Sequence, residues 1–385
     1  MGKKVKGNGQ GTIYKSSKTG LYIGQYTINY KRYSVYQKKN EKIGDFKKRF
    51  NDILSSINQG TYIEKSKETF IDILKRYVEQ KHKDGITSDS GYLREHYIVA
   101  SIEKSCSNFT NKEIQKITVN DIEDSKEFLR EYAQTSIDKA WTFIKKTFRL
   151  AVSRRLITYN PMDDETLLKP ISKKETKVIN SLTIEEEKKL NKVLDNEERK
   201  HKYRNIAKLQ LLTGMRIGEV LARSRTDVNF KNMTLNIRNT LTKDTSGKTI
   251  LGKHTKTYNK RTNIDKGQRY FPINLEIKII LKEELKNKIT NIYDLLFWDY
   301  DNNTFISYQE INSWLSRLNA KYHITNKDLT SHVLRHTFIT RLREKGIDMK
   351  VIQYLVGHTN NSKITDEVYT SLSDSFINNE LKKIK

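Results

Sequence analysis

Apolar positions change their spacing along the chain, and the changes divide it. Residues 12–15, 21–28 and 31–36 are short runs rich in Tyr, Ile and Thr. Turn-prone Lys18-Thr19-Gly20 and Asn29-Tyr30 separate them, which predicts three β-strands. At Ile43 the period becomes helical. Ile43, Phe46, Phe50, Ile53, Leu54 and Ile57 line one face of a helix over 43–57. Three strands backed by one helix make a very small core.

The helical period then persists. Phe70, Ile73, Leu74 and Tyr77 mark a helix over 69–80, and further helices are expected over 90–102 and 121–132, the latter opened by Thr118-Val119-Asn120-Asp121. The longest stripe, over 136–156, contains Ala140, Phe143, Ile144, Phe148, Ala151 and Val152, and Asn160-Pro161 is read as its stop. Polar residues with Pro170 suggest a linker over 166–176. Thr183 and Glu186 have the spacing of a capping box. Beyond them helices mix with one strand region, 233–273. The fold class expected is mixed α/β, mainly α. Its parts are a sheet-plus-helix segment over 1–63, a helical bundle over 64–165 and an α-rich domain with a β-hairpin region over 177–385.

Charge narrows the partner. The chain of 385 residues has net charge +26 and a pI near 9.7. Residues 1–63 hold 13 Lys/Arg against 3 Asp/Glu, a local +10. Such an excess calls for a polyanion, and nucleic acid is the usual one. A narrow basic, aromatic sheet can enter a DNA major groove. Lys139, Lys145, Lys146, Arg149, Arg154 and Arg155 on the bundle suit phosphates, although a solvated basic face is the simpler reading. No run of about 18 apolar residues exists to span a membrane, and mean hydropathy is −0.74. The basic N-terminus lacks the apolar core of a secretory signal. A single cysteine, Cys106, fits a reducing cytoplasm and excludes an internal disulfide framework.

The chemistry lies late in the chain. Ser331-His332-Val333-Leu334-Arg335-His336 places His332 and Arg335 on one helical face. The His-x-x-x-His spacing raises a zinc hydrolase, but Val333 stands where the base would be and Arg335 would sit beside the metal. Gly357 ends a helix over 349–356 and leaves His358 at a turn; Tyr369 follows eleven residues later. Upstream, Thr213-Gly214-Met215-Arg216-Ile217-Gly218-Glu219 breaks one helix at the glycine and puts Arg216 in the first turn of the next, where N–H groups favour an anion. Alone, each is an ordinary structural residue, and a tyrosine among 21 is weak evidence. Together they suit attack of a phenol on a phosphodiester. Two arginines bind nonbridging oxygens without losing charge, so no metal or other cofactor is needed.

The order Arg…His-x-x-Arg…Leu-x-Gly-His…Tyr resembles the signature of the tyrosine recombinase (integrase) family. Residues 11–15 and the following strands are similar to the arm-type DNA-binding domain of phage and conjugative-transposon integrases. The resemblance implies catalytic roles for Arg216, His332, Arg335, His358 and Tyr369, with Glu219 in support. The family's lysine precedes an Arg-x-x-Pro stretch. Here Lys256-Thr257 and Arg269-Tyr270-Phe271-Pro272 match, separated by a longer basic insert, 258–268. Lys256 is the first choice, with Lys266 and Lys260 open. The His358–Tyr369 spacing is slightly longer than is common in the family.

The resemblance implies a site-specific recombinase of a mobile element, acting through a 3′-phosphotyrosyl intermediate and a Holliday junction. Its partners would be double-stranded DNA at core and arm sites, a homotetramer on DNA, and an excisionase-type accessory protein. It would work in a bacterial cytoplasm, at the nucleoid. Leu372, Phe376, Ile377 and Leu381 mark a tail helix for docking on a neighbouring subunit. A type IB topoisomerase and a non-catalytic architectural DNA-binding protein are the rival readings.

Overall fold

This computed structural model describes residues 11–357, apart from 29, 176–180, 197, 199–200, 260–261 and 287–290. His358, Tyr369, Lys260 and the tail over 371–385 lie outside the described residues. The chain forms two compact units, Met1–Ser88 with Arg94–Thr176 and Asp89–Leu93 with Lys177–Lys385.

The first unit opens with strands β1 (Gly11–Lys15), β2 (Tyr22–Ile28) and β3 (Lys31–Tyr36), all antiparallel in the order β1-β2-β3. Their pairing puts Gly11, Tyr26 and Tyr33 in one row and Ile13, Gly24 and Val35 in another. Helix α1 (Ile43–Asn58) lays Phe46 and Phe50 against that face, with the Phe50 ring over Gly11 and Gly24. The rows Thr12, Gln25, Ser34 and Tyr14, Ile23, Tyr36 form the opposite face. The Gln25 amide donates there to Tyr14 Oη at 3.1 Å.

Helices α2 (Phe70–Lys83), α3 (Asp89–Ser105), α4 (Ser107–Thr110), α5 (Val119–Leu129) and α6 (Gln134–Ser153) follow. Phe70 meets Phe109 and Phe148 at ring separations of 5.1 and 5.2 Å in their core. Thr118 and Asp121 cap α5 reciprocally. Helix α6 stops before the expected Asn160-Pro161. Arg155 takes the left-handed conformation (φ 56°), and Leu156 N–H returns to Ala151 O at 2.8 Å. Local C-cap geometry therefore ends the helix first. Asn160 instead caps the single turn Pro161–Asp163. Within 166–175, Ser172 and Lys173 are bonded to Gln134, Tyr132 and Arg130.

The second unit contains α7 (Ile184–Asp195), α8 (Arg204–Thr213) and α9 (Ile217–Leu221). Short strands come next: β4 (Val228–Asn229), β5 (Thr234–Ile237), β6 (Leu241–Lys243), β7 (Thr249–Leu251), β8 (Tyr258–Asn259), β9 (Ile264–Asp265) and β10 (Arg269–Pro272). The expected strand region is thus three sheets, β10-β5-β4, β6-β7 and β8-β9. Helices α10 (Leu275–Leu285), α11 (Tyr308–Tyr322), α12 (Ser331–Glu344) and α13 (Met349–Val356) complete it. Helices α8 and α12 pack around Leu209, Leu334 and Phe338, which join Leu235, Phe271 and Leu355 in one core. The Thr183–Glu186 capping box opens α7. Just before it, Leu182 is tied to α12: its N–H donates to Thr337 Oγ1 at 2.9 Å, and its carbonyl accepts from Arg341 Nη2 at 2.7 Å.

Gly24→Val forces a branched side chain into the Phe50 ring. Overpacking of this kind destabilises by ~1–3 kcal/mol. The expected outcome is faster amide exchange in β1–β3 with exchange in α2 and α6 unchanged.

Candidate active site

The site is built where α8 turns into α9. Gly214 ends α8 in the left-handed conformation (φ 60°), and a Cβ there would strike the Phe338 ring. This break brings Arg216 to the cap position of α9, one residue before the helix rather than in its first turn, with extended backbone. Arg216 N–H donates to Glu219 Oε2 at 3.1 Å, and its Nη1 donates to Glu219 Oε1 at 3.0 Å.

Glu219 is fully buried. Its Oε2 also accepts from Arg269 Nη2 at 2.8 Å, and Arg269 is itself buried. Burial alone would raise a carboxyl pKa. Here Arg269 first, then Arg216 and Arg335, outweigh burial and hold Glu219 below the usual carboxylate range.

Arg335 reaches the same place from α12. Its Nη1 donates to Gly214 O at 2.5 Å and its Nη2 to Val356 O at 2.8 Å. Arg216 Nη2 donates to Gly357 O at 2.8 Å. Both guanidiniums thus meet at the C-terminal end of α13, where helix carbonyls lack intrahelical partners and attract cations. Gly357 is left-handed (φ 64°), and a Cβ on it would lie 2.5 Å from Arg269 Nη1 and 3.3 Å from Arg216 Nη1. A side chain at 357 would push on both guanidiniums as well as strain the left-handed backbone. Burial, and then the charge of Arg216, pushes Arg335 down to about 9. It stays charged at neutral pH and keeps further N–H donors for an anion.

His332 projects from the exposed side of α12. Local desolvation, followed by the charges of His336, Arg335, Lys256 and Arg216, lowers its pKa. Although His332 has exposed surface, these positive neighbours act in the same direction as desolvation, so its neutral form prevails at pH 7. Desolvation and Arg335 lower His336 as well.

Lys256 lies in the turn between β7 and β8, not within a strand. Asp265 shapes this turn by accepting from Thr255 N–H at 2.7 Å, from Thr255 Oγ1, and from Gly267 N–H at 3.1 Å. Lys266 follows β9 directly. Lys256 adds to the positive charge felt by His332.

Arg269 received no task from the sequence beyond its place in Arg-x-x-Pro. Strand alternation held the signal: Arg269 and Phe271 are buried, while Tyr270 is exposed. Arg223 was missed entirely. It is fully buried and donates to Glu219 O at 2.8 Å, Asp227 at 3.2 Å and Asn239 O at 2.8 Å.

A domain model described as the phage integrase family matches residues 180–375, just over half of the chain, and takes in Arg216 through Tyr369. The chain belongs to the phage integrase family. A phage integrase SAM-like domain also matches residues 69–167. The transposase from transposon Tn916 of Enterococcus faecalis is 28% identical over 240 residues, 60% of this chain and 56% of that protein. The chain therefore spans little more than half the length of that relative. A prophage ps2 probable integrase of Lactococcus lactis is 24% identical over 307 residues, 78% of this chain and 77% of its own. The fold matches a Tn1549 transposon integrase in complex with transposon right end DNA, with a TM-score of 0.64 at 20% identity, over 82% of this chain and 99% of that one. A lambda integrase dimer bound to a core site matches with a TM-score of 0.54 at 16% identity, over 95% of each chain. Among the described residues, no helix is long and apolar enough to cross a membrane.

Glu219→Gln leaves buried arginines short of their anion, which costs about 3–5 kcal/mol in comparable buried pairs. A carboxyl whose folded pKa is depressed stabilises above its ordinary value of about 4.3, and that contribution fades as pH falls through the folded pKa. Denaturant unfolding is expected to show lower stability at pH 7 for the variant, and a shallower loss of stability on acidification below about pH 4 than the unaltered chain shows.

Proposed function

We propose that the protein is a site-specific DNA recombinase that integrates and excises a mobile element. The observation that carries this reading is the meeting of Arg216 and Arg335 at the end of α13, beside His332 and within the influence of Lys256. Residue 358 follows directly, and Tyr369 lies twelve positions beyond Gly357.

In this reading Arg216 and Arg335 bind the nonbridging oxygens of one DNA phosphodiester and stabilise the charge that grows on them during attack. Tyr369 Oη forms a bond to phosphorus, and neutral His332 accepts the phenolic proton. The P–O5′ bond breaks, and Lys256 gives its proton to the leaving 5′ oxygen. His358 bonds the phosphate and supports the charged state. The product is a 3′-phosphotyrosyl bond with a free 5′ hydroxyl. Attack by a 5′ hydroxyl of a partner duplex reverses the step, so rejoining needs no nucleotide. Two such exchanges pass through a Holliday junction and call for four subunits.

Residues 64–165 and 177–385 would hold the core site as separate domains. The open face of β1–β3, with Thr12, Tyr14, Gln25, Arg32, Ser34 and Tyr36, would enter the major groove of arm sites. The net +10 of residues 1–63 supports this assignment. An excisionase-type accessory protein would set direction, and the tail over 371–385 would dock on a neighbouring subunit. The protein would act in the bacterial cytoplasm on nucleoid DNA.

A core-site duplex nicked beside the scissile phosphate traps the covalent product. The unaltered chain is expected to form a protein–DNA adduct and Tyr369→Phe none. An adduct from Tyr369→Phe, or none from the unaltered chain, would defeat the reading. On the same duplex, Lys256→Ala is expected to slow adduct formation by about 100-fold or more, the scale of a lost general acid. Lys266→Ala should stay within a few-fold of the unaltered rate, and the reverse pattern would move the acid to Lys266.

A further inference from the structure

Arg269 makes three hydrogen bonds, and each reaches a different segment of the site. Nη2 donates to Glu219 Oε2 at 2.8 Å, Nη1 to Gly267 O at 2.8 Å, and Nε to Leu355 O at 2.7 Å. All three guanidinium nitrogens are thus taken by protein acceptors and the side chain is 1% exposed, so Arg269 works from inside the site. Glu219 is the partner of Arg216. Leu355 precedes Val356, whose carbonyl accepts from Arg335.

Gly267 leads to the Lys256 turn. A Cβ on Gly267 would collide with Thr255 Oγ1 and Thr257 Oγ1, the two residues that flank Lys256. Asp265 bonds both Gly267 N–H and Thr255 N–H, at 3.1 and 2.7 Å. The lysine turn is thereby latched to Gly267, and Gly267 to Arg269. Arg223 offers a contrast. It is also buried, but it donates to Glu219 O, Asp227, Asn236 O on β5 and Asn239 just after β5, and none of these bonds is to the Lys256 turn or α13.

We propose that Arg269 is a positioning residue that sets the Lys256 turn and the end of α13 against the Glu219–Arg216 pair. A planar guanidinium can hold three acceptors at fixed angles, whereas an ammonium on a flexible stem cannot. The residue acts through Lys256. The inference rests on the recombinase reading.

The test uses the full-length chain and two nicked core-site duplexes. One has the natural leaving 5′ oxygen; in the other, sulfur replaces it. A thiolate leaves without a proton, so the sulfur duplex does not require a placed acid. Arg269→Lys is expected to bind both duplexes like the unaltered chain. It should form adduct about 100-fold more slowly on the oxygen duplex, the scale of a misplaced general acid, and regain at least about tenfold of that loss on the sulfur duplex. Gly267→Ala moves the same latch while leaving every buried charge in place, and it should show the same pattern. It decides the matter if Arg269→Lys fails to fold.

Adduct rates close to the unaltered chain for the variants overturn the proposal, as does an equal loss on both duplexes. Those results leave the recombinase reading standing. Absence of adduct from the unaltered chain on both duplexes overturns that reading and this proposal with it.

Discussion

Glu219 brings three positive side chains to one place. Arg216, Arg269 and Arg335 would repel one another, and two of them are buried. One enclosed carboxylate accepts directly from Arg216 and Arg269 and acts on Arg335 through space. The arginines come from the start of α9, from β10 and from α12, and their remaining donors meet the end of α13. Local charge is still positive after this balance, so the site favours a second anion. A phosphodiester fits that need, and the first anion shapes the arginines before it arrives.

The strand region is subordinate to this arrangement. Sheet β10-β5-β4 supplies Leu235, Ile237 and Phe271 to the main core, and β6 adds the partly buried Leu241. The pairs β6-β7 and β8-β9 are too short to be stable by themselves. Side-chain bonds secure their loops instead: Asp244 accepts from Ser246 and Lys248 in one, and Asp265 from Thr255 and Gly267 in the other. The turn bearing Lys256 thus depends on polar contacts with Asp265, where packing alone would leave it loose.

Much of this was legible because the signals were local. Thr118 with Asp121 and Thr183 with Glu186 announce their helices through bonds three residues apart. Gly214 and Gly357 mark breaks that need a left-handed backbone. Tyr, Ile and Thr alternation located β1–β3. The less legible features depend on distant partners. Arg269 looks like an exposed strand arginine until Glu219, fifty positions earlier, and Leu355, 86 positions later, close around it. Arg223 is hidden for the same reason. The early end of α6 turned on one residue, Arg155, in a conformation its type seldom adopts. Of the six candidate catalytic residues, Arg216, Lys256, His332 and Arg335 fall within the described part of one unit, and His358 and Tyr369 fall beyond it.

The bonds at Leu182 have a mechanical consequence. Its N–H and carbonyl are held by Thr337 and Arg341, on the helix that also carries His332 and Arg335. Arg341 is further anchored by Glu187 at 2.6 Å. Tension arriving along the polypeptide at Leu182 is therefore delivered first to Thr337 and Arg341 of α12, two and six residues from Arg335. Load on the chain and the placement of His332 and Arg335 share one strut.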